Sequence, residues 1–118
     1  MKVEWITYGG KKILYVEYSG AKNENELISI LHKEVEIERR MAEQILCLVN
    51  VSNTHATSGY MSELKRLGKE VRNQKVSKTA TIGVDGLKKV LFNAYVMFTG
   101  EINKAFDNEK EAKDWLVR

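Results

Sequence analysis

The sequence of 118 residues contains no proline and only one cysteine. Without proline, no stretch is marked as a rigid linker. The lone cysteine, Cys47, forms neither an internal disulfide nor a multi-cysteine metal cage, and it is typical of a protein in the reducing cytosol. No apolar run approaches the ~20 residues of a membrane-spanning helix, and the N-terminus has no signal-peptide core. These absences predict a cytoplasmic protein without stable membrane insertion.

The chain also has little net charge. Hydrophobic residues make up 43% of the chain and charged residues 30%, which is an ordinary balance for a folded protein. The formal net charge of +3 is too small to indicate a nucleic-acid partner by itself. A chain of this length buries roughly two thirds of its unfolded surface, so we expect one domain over residues 1–118.

Five segments have the composition of β-strands. They are Val3–Tyr8, Ile13–Tyr18, Ile45–Val51, Thr79–Val84 and Ile102–Phe106. Gly9 and Gly10 predict a tight turn, so the first two strands form an antiparallel hairpin. Ile45–Val51 is almost continuously apolar, which is typical of a strand covered on both faces.

Helical patterns fill the intervals between the strands. The first helix runs from the capping residue Asn23 to about Arg40, and Glu34 interrupts its apolar stripe. One face of the second helix carries Met61, Leu64, Gly68 and Val71. The third helix follows Asp85 as its cap, and we expect it to bury Tyr95 and Phe98. The last helix follows the capping residue Asn108. Alternating strands and helices predict an α/β fold. We expect a mixed, mostly parallel sheet of four to five strands with about four helices, its first strand antiparallel at the edge.

Two strand-to-helix junctions are candidate binding sites, because ligands of open α/β sheets gather beyond the carboxyl ends of the strands. The first junction is His55–Tyr60 and the second is Gly83–Gly86. Free N–H groups and the helix dipole attract anions at such positions. The candidate residues for a small anionic or lipid-like ligand are Thr57, Ser58, Gly59, Gly83 and Gly86.

Thr57 and Ser58 are adjacent hydroxyls at the start of a helix. Phosphorylation there would add nearly two negative charges and would change a binding surface. The simpler alternative is that Thr57 only caps the helix.

No residue set resembles an active site. His55 has no acid at a recognisable spacing, and an enzyme would need it to meet Asp85 across the strand ends. Cys47 has the setting of a small buried strand residue, and the chain has no glycine-rich phosphate loop. We therefore expect no catalytic residue, no metal site and no cofactor.

The second helix and its exit are locally basic. The positive residues are Lys65, Arg66, Lys69, Arg72, Lys75 and Lys78, against Glu63 and Glu70. Such a face is usually solvated. The alternative is a docking surface for an acidic partner or an anionic lipid headgroup.

The order of elements, with Thr57-Ser58-Gly59 opening the second helix, resembles the STAS domain of anti-sigma factor antagonists, and in particular its SpoIIAA-like branch. Val16–Gly20 is similar to that branch's early strand and glycine, and Ala80–Gly83 to the strand before its third helix. Ala105–Leu116 is similar to its closing pattern of a phenylalanine, an acidic turn and an alanine-x-x-tryptophan-leucine helix.

The resemblance implies a SpoIIAA/STAS-like fold with a phosphorylated hydroxyl at Thr57, followed by Ser58 and Gly59. Ala56 stands where the family has an acid. The implied partner is an anti-sigma factor or a kinase-like regulator. The branch is also compared with lipid-binding Sec14-like domains, which implies a small apolar ligand.

Together these observations favour a non-catalytic regulatory module that binds a protein partner and is switched by phosphorylation at Thr57 or Ser58. The predicted partner-binding residues are His55, Gly59, Met61, Lys65 and Arg66. Formation of a homodimer is a further possibility that the sequence leaves open. The alternative is a carrier or sensor that binds a small anionic or lipid-like ligand at the carboxyl ends of the strands.

Overall fold

A five-stranded mixed sheet lies at the centre of the computed structural model, which describes residues 3–118. In sheet order its strands are β1 (Val3–Tyr8), β2 (Lys11–Glu17), β3 (Ile45–Asn50), β4 (Val76–Ile82) and β5 (Asn103–Phe106). β1 is antiparallel to β2, and β2 to β5 are mutually parallel. The predicted α/β fold with an antiparallel edge strand is confirmed.

Four helices connect and cover the strands. They are α1 (Glu24–Arg40), α2 (Ser58–Leu67), α3 (Leu87–Thr99) and α4 (Glu109–Val117). A π-helical turn, Gly68–Arg72, and a short helical turn, Asn73–Lys75, lead from α2 into β4. Within residues 3–118, no helix combines the length and the apolar content needed to cross a bilayer.

The predicted caps of α1 and α4 are present, but the predicted cap of α3 is wrong. The side chain of Asn23 accepts from Glu26 N–H at 3.0 Å, and Asn108 makes the matching bond in α4. α3 starts after Gly86, which has a φ of 53° and makes no side-chain cap bond. Asp85 lies one residue too early and instead pairs with Lys88 at 3.5 Å.

β4 begins at Val76, three residues before the predicted start at Thr79. Lys78, which the sequence placed at the basic exit of the second helix, lies within this strand. The Lys78 ammonium lies 4.8 Å from the centroid of the Trp115 ring and donates to the Trp115 carbonyl at 2.9 Å. A lysine can therefore occupy a sheet position because its charged end reaches past the covering helix.

The two faces of the sheet are covered differently. α4 alone covers one face, where Ile13, Leu48, Ala80, Ile82, Ala112 and Leu116 form the core. On the other face α1 and α2 pack over a larger core that includes Leu14, Val16, Tyr18, Leu31, Cys47, Val49, Tyr60 and Val71. The right-handed crossovers of a parallel sheet place α3 on this second face as well.

Much of α3 is exposed. Its apolar spacing predicted Tyr95 and Phe98 as core, but only Tyr95 is buried, and Phe98 is 49% exposed. Leu87, Val90 and Met97 are also exposed. The prediction for Phe98 is wrong because α3 is apolar around most of its circumference, whereas only one of its sides contacts the rest of the protein.

Candidate functional site

A cavity of about 90 Å³ opens at the carboxyl ends of β3 and β4, between α2 and α3. Most of its wall is apolar or aromatic, with Leu27, Val49, Val51, Met61, Leu64, Leu91 and Phe92 among the lining residues. Its inner end is polar, because the buried side chains of Tyr18, Glu34 and Arg72 reach it. We call this space the rim cavity.

Close contacts between the two junction loops form the mouth of the rim cavity. Gly83, at a φ of 88°, lies so close to Ser52 that a Cβ would come within 2.5 Å of the Ser52 backbone nitrogen. The Lys88 ammonium donates to the Val51 carbonyl at 2.9 Å, which ties the first turn of α3 to the end of β3. Glycine at position 83 therefore allows the two junctions to meet.

A buried arginine lies below the rim cavity. Arg72 Nε donates to Glu34 at 2.9 Å, Nη1 donates to Glu101 at 2.8 Å and to the Tyr95 hydroxyl at 2.9 Å, and Nη2 donates to Thr79 at 3.0 Å. We call these residues, with Glu38, the Arg72 cluster. Every nitrogen of the guanidinium is thus already bonded to a protein oxygen.

Glu38 is the third carboxyl group of the Arg72 cluster. Its Oε2 lies 3.5 Å from Arg72 Nε and accepts from the Cys47 thiol at 3.6 Å. Burial, reinforced by the nearby Glu34, raises the pKa of Glu38 to about 10. Glu38 is therefore protonated at neutral pH, and two carboxylates face one guanidinium.

Glu34, Glu38 and Cys47 also have the chemistry of metal ligands, and one potential ligand atom of each lies within 4.8 Å of the others. The same carboxyl groups bond to Arg72, so a cation here would compete with the guanidinium. Burial also raises the pKa of the Cys47 thiol well above its usual range, which opposes the thiolate a metal requires. The arrangement fits a structural ion cluster better than a metal centre.

The π-helical turn places Arg72 within the protein. Gly68 begins this turn, and a Cβ there would lie 2.6 Å from the Tyr95 hydroxyl. The prediction that Arg72 belongs to a solvated basic face is wrong, because Arg72 is 3% exposed. The burial of Arg72 could have been inferred from residue positions in the sequence. Glu34 and Glu38 are spaced by four residues on the apolar face of α1, and Arg72 follows the buried Val71.

The predicted phosphorylation residues lie at the start of α2. The Thr57 hydroxyl accepts from Tyr60 N–H at 3.3 Å and caps the helix, and Ser58 is exposed as the first helical residue. The Glu24 carboxylate lies against Gly59, in the space that a side chain would fill. A negative charge already faces this helix end, which disfavours a second, free anion there.

The predicted partner-binding residues are spread over two surfaces. His55 is exposed at the cavity mouth, and Met61 contributes to the cavity wall. Lys65 lies over the exposed Phe98 ring, 6.0 Å from its centroid. Arg66 is exposed and bonds Glu63 at 2.9 Å and Glu70 at 3.0 Å on its own helix.

The second junction contains two glycines and an ion pair. Gly83 and Gly86 both have positive φ, and Asp85 pairs with Lys88. Among residues 3–118, no hydrogen bond or ion pair joins His55 to Asp85. The dyad considered for an enzyme is therefore not formed in this structure.

Neither the protein-family models nor the curated proteins contain a match to this chain. Among solved structures, an uncharacterized DUF3478-family protein from Shewanella loihica PV-4, described as having a SpoIIAA-like fold, matches with a TM-score of 0.74. The chain has a SpoIIAA-like fold. The alignment covers 97% of this chain and 91% of the Shewanella protein at 15% identity, so the similarity establishes the fold alone. The resemblance found in the sequence is confirmed at that level.

Proposed function

We propose that this chain is a non-catalytic binding module whose rim cavity receives a small apolar, lipid-like ligand. The observation that carries the proposal is the cavity itself: an apolar space at the carboxyl ends of parallel strands, where α/β proteins bind ligands. Each nitrogen of Arg72, the cation at its inner end, already donates to a protein oxygen. The lipid-like form of the predicted ligand is therefore favoured over the small anionic form.

Binding of a neutral fluorescent probe tests the proposal. N-phenyl-1-naphthylamine becomes brighter in apolar sites, so titration with the purified protein should give saturable enhancement. Leu91→Trp should fill the cavity and weaken probe binding by about tenfold or more, since Leu91 lines it. Val90→Trp is the matched control, because Val90 is the exposed neighbour on α3. Absence of saturable binding to the wild-type protein, or equal effects of the two variants, would contradict the proposal.

A second candidate is the regulatory function, in which a protein partner meets the surface around Thr57, Ser58, Lys65 and Arg66. Two observations favour it: Ser58 is exposed at a helix start, and Lys65 joins this surface to the exposed apolar side of α3 through Phe98. By the resemblance, the partner would be an anti-sigma factor or a kinase-like regulator. A phosphate on Ser58 would repel Glu24, whose carboxylate lies against Gly59.

Ser58→Glu tests this candidate more cleanly than Thr57→Glu, because it leaves the Thr57 cap in place. Recovery of a specific partner from an extract of the source cells should fall for Ser58→Glu and stay unchanged for the uncharged control Ser58→Gln. Equal recovery with the two variants would count against the switch. Native mass spectrometry separates the two candidates, since a bound small molecule favours the first.

A further inference from the structure

The inner end of the rim cavity holds a hydroxyl without a partner. Tyr18 is 1% exposed, and its ring packs edge-on against Tyr60 with centroids 5.5 Å apart. Its hydroxyl makes no hydrogen bond within residues 3–118, although buried polar atoms nearly always make one. Burial raises the pKa of Tyr18 well above its usual value, and the nearby Tyr60 adds to this. The hydroxyl is thus a donor that a bound molecule could satisfy.

Beside this donor lies an acceptor. Glu34 also lines the cavity, and its bond to Arg72 uses Oε2. Each Arg72 nitrogen already donates to a protein oxygen, and the carboxyl groups of Glu34 and Glu101 both bond to this one cation. An anionic group would therefore have to compete with these two carboxyl groups for the guanidinium.

At the mouth of the cavity an anion would also have to compete for a cation that is already bonded. The Lys88 ammonium is the cation there, and it already donates to the Val51 carbonyl and pairs with Asp85. A cationic head group would have to lose its hydration on entering the apolar passage, at a large free-energy cost. A neutral group that both donates and accepts meets neither obstacle.

Building on the proposed function, we propose that the ligand is an aliphatic alcohol, bound with its hydroxyl at the inner end of the rim cavity and its chain along the apolar wall. The hydroxyl accepts from Tyr18 and donates to Glu34. Alcohols are thereby distinguished from fatty acids of the same length, which share the apolar chain and differ in the head group.

Competition between matched ligands tests this assignment. Octan-1-ol and octanoate are titrated separately against the wild-type protein loaded with N-phenyl-1-naphthylamine. We expect octan-1-ol to displace the probe at a concentration about tenfold lower than octanoate, which corresponds to about 1.4 kcal/mol. Octanoate displacing the probe as well as octan-1-ol, or neither displacing it, would overturn this inference alone. Failure of the probe to bind at all would overturn the proposed function as well.

A single-atom change sharpens the test. Tyr18→Phe should weaken octan-1-ol binding by about fivefold, the typical effect of one lost hydrogen bond, and should not lower the stability of the free protein, because no internal bond is removed. Tyr15→Phe is the matched control, since the Tyr15 hydroxyl bonds Glu17 at 2.6 Å and Tyr15 packs on the opposite face. Unchanged alcohol affinity in Tyr18→Phe, or a clear loss of its stability, would overturn the assignment.

Discussion

The two faces of the sheet bury their side chains in different ways. Under α4 the core is small and wholly apolar, with Ala112 and Leu116 packed against three strands. The face that carries the other helices encloses the Arg72 cluster and the rim cavity. The face under α4 is an ordinary apolar core. The other face contains a buried ion cluster and a cavity, which an ordinary core does not need.

Both of those features cost stability. Buried ions lose their hydration, and ion pairs replaced by apolar side chains often leave a protein equally or more stable. A cavity forfeits the dispersion contacts that close packing supplies. Because departures from good packing and polar satisfaction concentrate at functional sites, the cavity-bearing face is where we place function.

The largest expected effect comes from removing the cation of the Arg72 cluster. Arg72→Met leaves Glu34 and Glu101 buried without their guanidinium, and it should lower the free energy of unfolding by about 3–5 kcal/mol. Urea denaturation monitored by circular dichroism measures this loss. Arg66→Met, at an exposed position on α2, should change stability by less than about 1 kcal/mol. Similar effects of the two changes would mean that the cluster does not hold the cavity-bearing face together.

The next prediction compares leucines from the two faces. Leu116 is 1% exposed under α4, and Leu116→Ala should lower the free energy of unfolding by about 3 kcal/mol. Leu64 is partly buried at the cavity wall, and Leu64→Ala should cost about 1 kcal/mol because it has fewer contacts to lose. Met97→Ala, at a position on α3 that is 85% exposed, is the baseline. Equal losses at Leu116 and Leu64 would remove the distinction between the faces.

Strand and helix order could be predicted from the sequence because it depends on local signals. Turn glycines such as Gly9 and Gly10 and the capping residues Asn23 and Asn108 each act within a few neighbours. The Arg72 cluster could not be predicted in the same way, since it joins residues up to 38 positions apart. Periodicity shows that Glu34 lies on an apolar face, but it cannot show which cation meets it. The exposure of Phe98 likewise depends on how much of α3 the other helices cover.

The third prediction concerns pH. The pKa of Glu38 is about 10 in the folded protein and about 4.5 when unfolded, so the folded state holds a proton that the unfolded state releases between these values. The stabilisation that Glu38 adds to the free energy of unfolding is fully present below the unfolded pKa. It is lost as pH rises toward 10, by at most about 1.4 kcal/mol per pH unit. Glu34, Arg72 and Cys47 surround the group and modulate the slope.

Glu38→Gln should therefore flatten the stability profile on the alkaline side. The stability of the variant relative to the wild type should increase from pH 6 to pH 9 in urea denaturation. Glu36→Gln is the control, because Glu36 is exposed two residues away and pairs with Arg40 in an (i, i+4) bridge. Parallel profiles for wild type and Glu38→Gln would show that Glu38 is ionised in the folded protein.

The smallest effect is expected at the start of α2, on the rim of the cavity-bearing face. Thr57→Ala removes the bond from Tyr60 N–H and should cost about 1 kcal/mol, whereas Ser58→Ala, at an exposed position, should cost less than about 0.5 kcal/mol. Thermal unfolding of the two variants and the wild type measures the difference. Because the Thr57 hydroxyl caps the helix, a substitution at Ser58 should disturb α2 less than one at Thr57. A larger cost for Ser58→Ala than for Thr57→Ala would reverse that assignment and make Thr57 the better candidate for a switch.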